Sequence, residues 1–242
     1  MKPLVLVHGF MGGSEQWQLQ IPDLQKIRQV FAVDLPGFGL NTDAEAPNSI
    51  NGFASFVLDQ MSRQDVETFD LMGHSMGGMI VQEMVAMAPE RIDSLILYGT
   101  AATGNLPGRF ESFKTSRLRA EADGVTATAR RISATWFLHH ENAQEYESCA
   151  RLAEKSSLQA VLASLEAMEQ WSRLENLSDI LCPTQIIWGE HDRTYKWTQV
   201  ERLWKQIPSA SIAIIPRCSH AVHMENHQLF NQVMTDFLDQ NN

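Results

Sequence analysis

Gly73-His74-Ser75-Met76-Gly77 is the stretch whose residue types and spacing most directly offer chemistry. It separates an apolar run, 69–72, from a run of helix formers, 79–88. The order is therefore strand, tight turn, helix. A serine hydroxyl in water is a poor nucleophile, because it is protonated at neutral pH and bonded to solvent. A sharp turn lifts the Ser75 side chain off the sheet, where a base can reach it. The same turn aims the Met76 backbone N–H at the place where an oxyanion would develop. Gly73 and Gly77 suit such a turn, since they tolerate unusual backbone angles and let strand and helix approach closely. Gly-x-Ser-x-Gly also occurs as an ordinary glycine turn, so the flanking strand and helix carry much of the weight.

Six short apolar runs read as buried strands: 4–7, 30–33, 69–72, 95–98, 185–188 and 212–215. They are apolar on both faces, as parallel strands covered by helices should be. Helical patterns at 16–27, 50–61, 79–88, 198–207 and 226–238 separate most of them. Alternating strand and helix predicts a doubly wound, mostly parallel α/β sheet of about six strands. The segment 104–178 breaks the rhythm with helix formers and no convincing strand. It predicts a helical insertion after the fourth strand, because structureless loops of that length are uncommon. The expected division is a core of 1–103 and 179–242 with a helical cap of 104–178.

In an open α/β sheet, function sits at the carboxyl ends of the strands. The first strand is followed by His8-Gly9-Phe10-Met11-Gly12-Gly13 and the second by Asp34-Leu35-Pro36-Gly37. The third gives Ser75. After the fifth comes Gly189-Glu190-His191-Asp192, and after the sixth Pro216-Arg217-Cys218-Ser219-His220. A nucleophile, an acid and a histidine thus lie beyond three strand ends, in the chain order Ser75, Asp192, His220.

With these motifs in this order, and with Glu225 following His220, the chain resembles the α/β-hydrolase superfamily over nearly its whole length except the insertion. The resemblance implies acyl transfer. His220 takes the Ser75 proton and returns it to the leaving group, while Asp192 holds the imidazole in the right tautomer. The N–H groups of Phe10 and Met76 form the oxyanion hole. His8 braces the oxyanion loop, His74 supports the turn, and Asp34 is structural. His223 competes with His220 as the base, and its other reading is a pocket wall or helix start. The cap folds over Ser75, and Met11, Trp136, Phe137 and His223 are expected along the substrate pocket. Members of the superfamily often begin with an antiparallel strand pair that this sequence lacks. Ala221 stands where ring-cleavage C–C hydrolases often carry tryptophan.

The function expected is a carboxylesterase-like serine hydrolase acting on small or medium-sized esters. A C–C bond hydrolase or enol-lactonase is the alternative within the class, with perhydrolase and lyase activities further from it. A ligand receptor built on a hydrolase fold is the alternative of another class. The net charge of −10 over 242 residues disfavours nucleic acid and anionic membrane partners. No apolar run is long enough to span a membrane, and the short run after Met1-Lys2-Pro3 reads as a first strand rather than a leader. Cys149, Cys182 and Cys218 form neither a disulfide framework nor a metal pattern. A cytoplasmic enzyme with no cofactor and no metal is expected. His139-His140-Glu141 reads as an exposed helix end, and the glycines after the first strand lack a phosphate-loop lysine. The arginines of the insertion, among them Arg109, Arg117, Arg119, Arg130, Arg131 and Arg151, read as solvated helix faces, with one or two available to clamp a carboxylate.

Overall fold

Strand β1 (Leu4–Val7) lies inside the sheet, hydrogen-bonded to β2 (Val30–Val33) on one side and β3 (Phe69–His74) on the other. The computed structural model describes residues 1–107, 109 and 111–241. Among these, β4 (Ile92–Tyr98), β5 (Thr184–Gly189) and β6 (Ala210–Ile215) complete a six-stranded sheet in the order β2-β1-β3-β4-β5-β6. Every pairing is parallel, so the sheet is wholly rather than mostly parallel.

Successive strand residues point to opposite faces, and the core divides accordingly. Val5, Val7, Leu71, Leu95 and Leu97 pack on one face with α2 (Ile50–Arg63) and α3 (Met76–Met87). Leu4, Leu6, Met72, Ile96 and Tyr98 pack on the other with Trp17 and α9 (His227–Gln240). Helix α2 starts where Ser49 Oγ accepts the Gly52 N–H at 3.1 Å, satisfying one of the free donors of the first turn. Ile50, Phe53, Ala54, Val57, Leu58 and Met61 form its buried stripe.

Two expectations need correction. The sequence pattern at 16–27 predicts one helix. The structure instead has a 3₁₀ turn at Ser14–Trp17 and a single α turn, α1 (Ile21–Leu24). Pro22 accounts for the break, since it lacks an N–H and its ring excludes a carbonyl one turn earlier. The edge strands are also not covered on both faces. Val30, Phe31 and Ala32 of β2 are only part-buried, and Ile214 of β6 is exposed.

Between β4 and β5 the chain forms α4 (Phe113–Thr135), α5 (Tyr146–Glu154) and α6 (Leu158–Gln170). Gly124 kinks α4 with φ 76°. The ends of this helical segment are tied together at its neck. Thr103 and Ser172 form an antiparallel bridge, and the Arg173 N–H donates to Ala102 O at 2.8 Å. Helix α7 (Trp197–Gln206) follows β5, and the short α8 (Val222–Glu225) follows β6.

Two buried polar groups join the strands. Asp70, within β3, accepts from Arg28 Nη1 at 2.6 Å and from Ser94 Oγ at 2.5 Å, with both charged side chains fully buried. His8, just past β1, accepts the Leu35 N–H at Nε2 (3.0 Å) and donates from Nδ1 to Gly9 O (2.8 Å). One ring nitrogen is a donor and the other an acceptor, so the neutral imidazole satisfies both contacts. Burial accordingly lowers its pKa from the ordinary 6.5 to about 4.

Both groups generate predictions. Arg28→Met should destabilise the fold by about 3–5 kcal/mol in urea unfolding, because it strands a buried carboxylate. A loss below about 1 kcal/mol would contradict the buried pair. The His8 contribution to stability is fully present above pH 6.5. Between pH 6.5 and about 4 the unfolded chain holds a proton there that the folded chain does not. Stability should therefore fall on acidification through that window by about 1.4 kcal/mol per pH unit from His8 alone. The unfolding midpoint of wild type followed from pH 7 to 4.5, beside that of His8→Gln, checks this: the variant should show the shallower slope.

Candidate active site

Ser75 sits at the joint between β3 and α3 with φ 57° and ψ −117°, a backbone conformation that a residue with a side chain rarely adopts. Hydrogen bonds at its N–H and its carbonyl hold it there. Its N–H donates to Tyr98 O (2.9 Å), and its carbonyl accepts from Thr100 Oγ1 (2.7 Å) and from the Gly78 N–H (2.9 Å). The loop after β1 presses against it, since a methyl group built on Gly9 would stand 3.0 Å from Ser75 Cβ. Met76 is the first residue of α3, so its N–H has no carbonyl one turn back within the helix. The positive end of the α3 dipole therefore lies beside the Ser75 side chain.

Asp192 and His220 meet across the loops after β5 and β6. His220 Nδ1 lies 2.8 Å from Asp192 Oδ2, with both side chains buried. The other carboxylate oxygen, Oδ1, accepts the N–H groups of Thr194 (2.7 Å) and Tyr195 (3.0 Å). The carboxylate is thus fixed in rotation, and it keeps the imidazole proton on Nδ1 and the lone pair on Nε2. The histidine loop is tied to the helical segment. Glu225 accepts the Ser219 N–H (2.6 Å) and the Leu138 N–H (2.5 Å), and the Ala221 N–H donates to Trp136 O (3.0 Å). Burial raises the Glu225 pKa.

The rival histidines occupy other positions. His223 Nδ1 lies 2.9 Å from the Tyr98 hydroxyl, which itself donates to His220 O at 2.7 Å. Burial, with His220 nearby, lowers the His223 pKa to about 3. His74 stacks on Tyr98 with ring centroids 4.4 Å apart, and burial holds it well below its usual pKa. Asp34 accepts from Ser14 N (2.7 Å) and Ser14 Oγ (2.8 Å), binding the loop after β1 to the loop after β2. His191 and Glu190 are exposed, 3.6 Å apart. His139 and His140 are exposed too, and among the described residues no cluster of three or more His, Cys, Asp or Glu is placed to hold a metal ion. The three cysteines are free, and burial raises the pKa of Cys218 to about 11.

Two cavities meet at Ser75. The smaller is lined by Met11, His220 and His223. The larger is lined by Met79, Arg109 and Tyr195. Phe10, Ser75 and Trp136 line both. Phe137 lies in neither. It directly follows Trp136 at the end of α4, so its ring turns away into a small buried cluster with Ala134, Tyr146 and Met224. Tyr195 escapes sequence reading altogether. It lines the larger cavity together with Ser75, and burial pushes its phenol up to about 12. The only available signal is its position three residues after Asp192, whose carboxylate its N–H also holds.

Known proteins share this arrangement of chain. The chain is 27% identical to the dihydrolipoyllysine-residue acetyltransferase component of the acetoin cleaving system of Pseudomonas putida over 98% of its own length, but spans only 63% of that relative. It is 28% identical to the pimeloyl-(acyl-carrier protein) methyl ester esterase of Yersinia enterocolitica, covering 99% of this chain and 94% of the relative. Among solved structures, the enol-lactonase of Burkholderia xenovorans superposes with a TM-score of 0.90 at 23% identity, covering 98% of this chain and 91% of that one. The profile of the alpha/beta hydrolase fold matches residues 2–227, and with that match over nearly its whole length the chain belongs to the α/β-hydrolase family.

Proposed function

We propose that the protein is a serine hydrolase that cleaves carboxylic esters of small or medium-sized substrates through an acyl-enzyme on Ser75. The observation that carries this reading is the buried His220–Asp192 pair at 2.8 Å beside a strained Ser75 on which two cavities converge. An ester has two arms on either side of its carbonyl carbon, and two cavities joined at the nucleophile give each arm a place. The relatives lend support, since one is named a methyl ester esterase and a structural neighbour an enol-lactonase, both of which cleave acyl–oxygen bonds.

In this mechanism His220 Nε2 accepts the Ser75 proton as the oxygen attacks the carbonyl carbon. The Phe10 and Met76 N–H groups receive the negative charge that develops on the carbonyl oxygen. His220 then protonates the departing alcohol, and a water activated by the same nitrogen releases the acid. Asp192 stabilises the transient imidazolium and stays ionised itself. His223 stays neutral on the Tyr98 hydroxyl and takes no part as base. The helical segment 104–178 acts as the cap that supplies Trp136 to both cavities.

The test is hydrolysis of p-nitrophenyl acetate and butyrate compared with a vinylogous diketone acid. The simple esters should have the higher kcat/KM, and a much higher value on the diketone acid would overturn the ester reading. Ser75→Ala should lower kcat by about 10⁶. Asp192→Asn should lower it by about 10⁴, because an amide favours the wrong imidazole tautomer.

A further inference from the structure

Tyr98 touches both halves of the site from one position. It is the last residue of β4 and fully buried. Its main-chain carbonyl accepts the Ser75 N–H at 2.9 Å. Its side-chain hydroxyl donates to the main-chain carbonyl of His220 at 2.7 Å. The proposed nucleophile and the proposed base are thus bonded, through their backbones, to the same residue. The next two residues extend the platform. A methyl group built on Gly99 would stand 3.2 Å from His220 Nδ1 and 3.6 Å from Asp192 Oδ2, and Thr100 Oγ1 donates to Ser75 O at 2.7 Å.

The sheet order gives this tie a task. Strands β3 and β6 are separated by β4 and β5. The loop that carries His220 therefore reaches back across two strands to arrive at Ser75. The bond to Asp192 orients the imidazole, but it does not set how far the histidine main chain stands from the nucleophile. The Tyr98 side chain spans that gap. Its ring stacks on His74 with centroids 4.4 Å apart and meets Phe230 at 4.8 Å, which holds it in place.

The hydroxyl proton has a fixed direction as well. A carbonyl only accepts, so the single Tyr98 proton is committed to His220 O. Toward His223 the same oxygen accepts, from Nδ1 at 2.9 Å and from the main-chain N–H at 3.3 Å. Nδ1 therefore carries the His223 proton, and burial, which lowers the His223 pKa to about 3, keeps that ring neutral. Burial also holds the Tyr98 phenol well above its ordinary pKa, so the donated proton stays in place.

We infer that Tyr98 is a positioning residue that sets the distance between Ser75 and His220. The inference rests on the triad of the ester reading above and deepens it. Tyr98 lines neither cavity, so it acts through His220 rather than on the substrate.

Tyr98→Phe removes the tie and keeps the ring. Two rates read the effect, each referred to the folded fraction found by urea unfolding of the same preparation. One is the rate constant for fluorophosphonate labelling of Ser75, followed by intact mass, which needs no substrate. The other is turnover of p-nitrophenyl butyrate. Labelling and kcat should both fall by about 10- to 100-fold, as expected when reacting groups are misplaced by about 1 Å, with KM within about 3-fold of wild type. In a His220→Gln background the same substitution should change the labelling rate by less than about 2-fold, because the residue it acts through is gone.

A labelling rate in Tyr98→Phe within about 3-fold of wild type would overturn the inference. Equal slowing with and without His220 would also overturn it, since the effect would then be on the fold at large. So would a raised KM at unchanged kcat. Failure of wild type to label would sink the triad and this inference together. Labelling without turnover of the butyrate ester removes only the ester reading, and the labelling rates then decide the role of Tyr98.

Discussion

The site depends on how closely three backbones pass at the joint between β3 and α3. A side chain on Gly73 would overlap the Gly77 carbonyl, and one on Gly77 would overlap the carbonyls of Val7 and His8. Nothing larger than hydrogen fits at either place without moving main chain. This closeness lets α3 begin directly over the end of β3, and it forces Ser75 into the positive-φ turn that projects its side chain outward. It also carries the end of β1 with it, so that the loop bearing Phe10 arrives beside Ser75. The parallel register supplies the rest. Gly73 of β3 sits opposite Val7 of β1 and Leu97 of β4, which brings three strand ends to one level.

The remaining contacts position groups around that joint. His8 and Asp34 join the loop after β1 to the chain after β2, each through backbone N–H groups. Asp192 is locked by the two N–H groups that follow it, which leaves one oxygen for His220. Glu225 grips the histidine loop and the chain just after α4 with its two oxygens. The helical segment and the histidine loop are therefore mechanically coupled. Burial keeps His8 and His223 neutral near pH 7, so the space around His220 is polar but adds no positive charge from them.

Much of this was readable from residue order, because parallel strands and glycine turns have local signatures. Leu4 to Val7 is a strand in any context that buries both its faces. The Gly73–Gly77 turn names its own geometry, and Ser75, Asp192 and His220 lie at strand ends by chain order alone. What escaped is set by tertiary neighbours. Whether Ile214 is covered depends on β6 being an edge, which the hydrophobic run cannot reveal. Phe137 and Trp136 are equivalent in composition, but adjacent positions at a helix end point to different sides, and only Trp136 faces the cavities. Arg28 and Asp70 are 42 residues apart, and no periodicity connects them. Tyr195 reads as one more aromatic residue until the loop after β5 folds it into a cavity that Ser75 also lines. Pro22 was the exception, a visible helix breaker inside the pattern at 16–27.

The central claim is that the turn at Ser75 makes its hydroxyl a nucleophile served by His220. Intact-mass spectrometry after treatment with a fluorophosphonate tests this most directly, since the reagent reports the reactive hydroxyl without any choice of substrate. The account predicts one adduct per chain, mapped to Ser75, absent in Ser75→Ala and much slower to form in His220→Gln. Failure of the wild type to label, or equal labelling of Ser75→Ala, would contradict it.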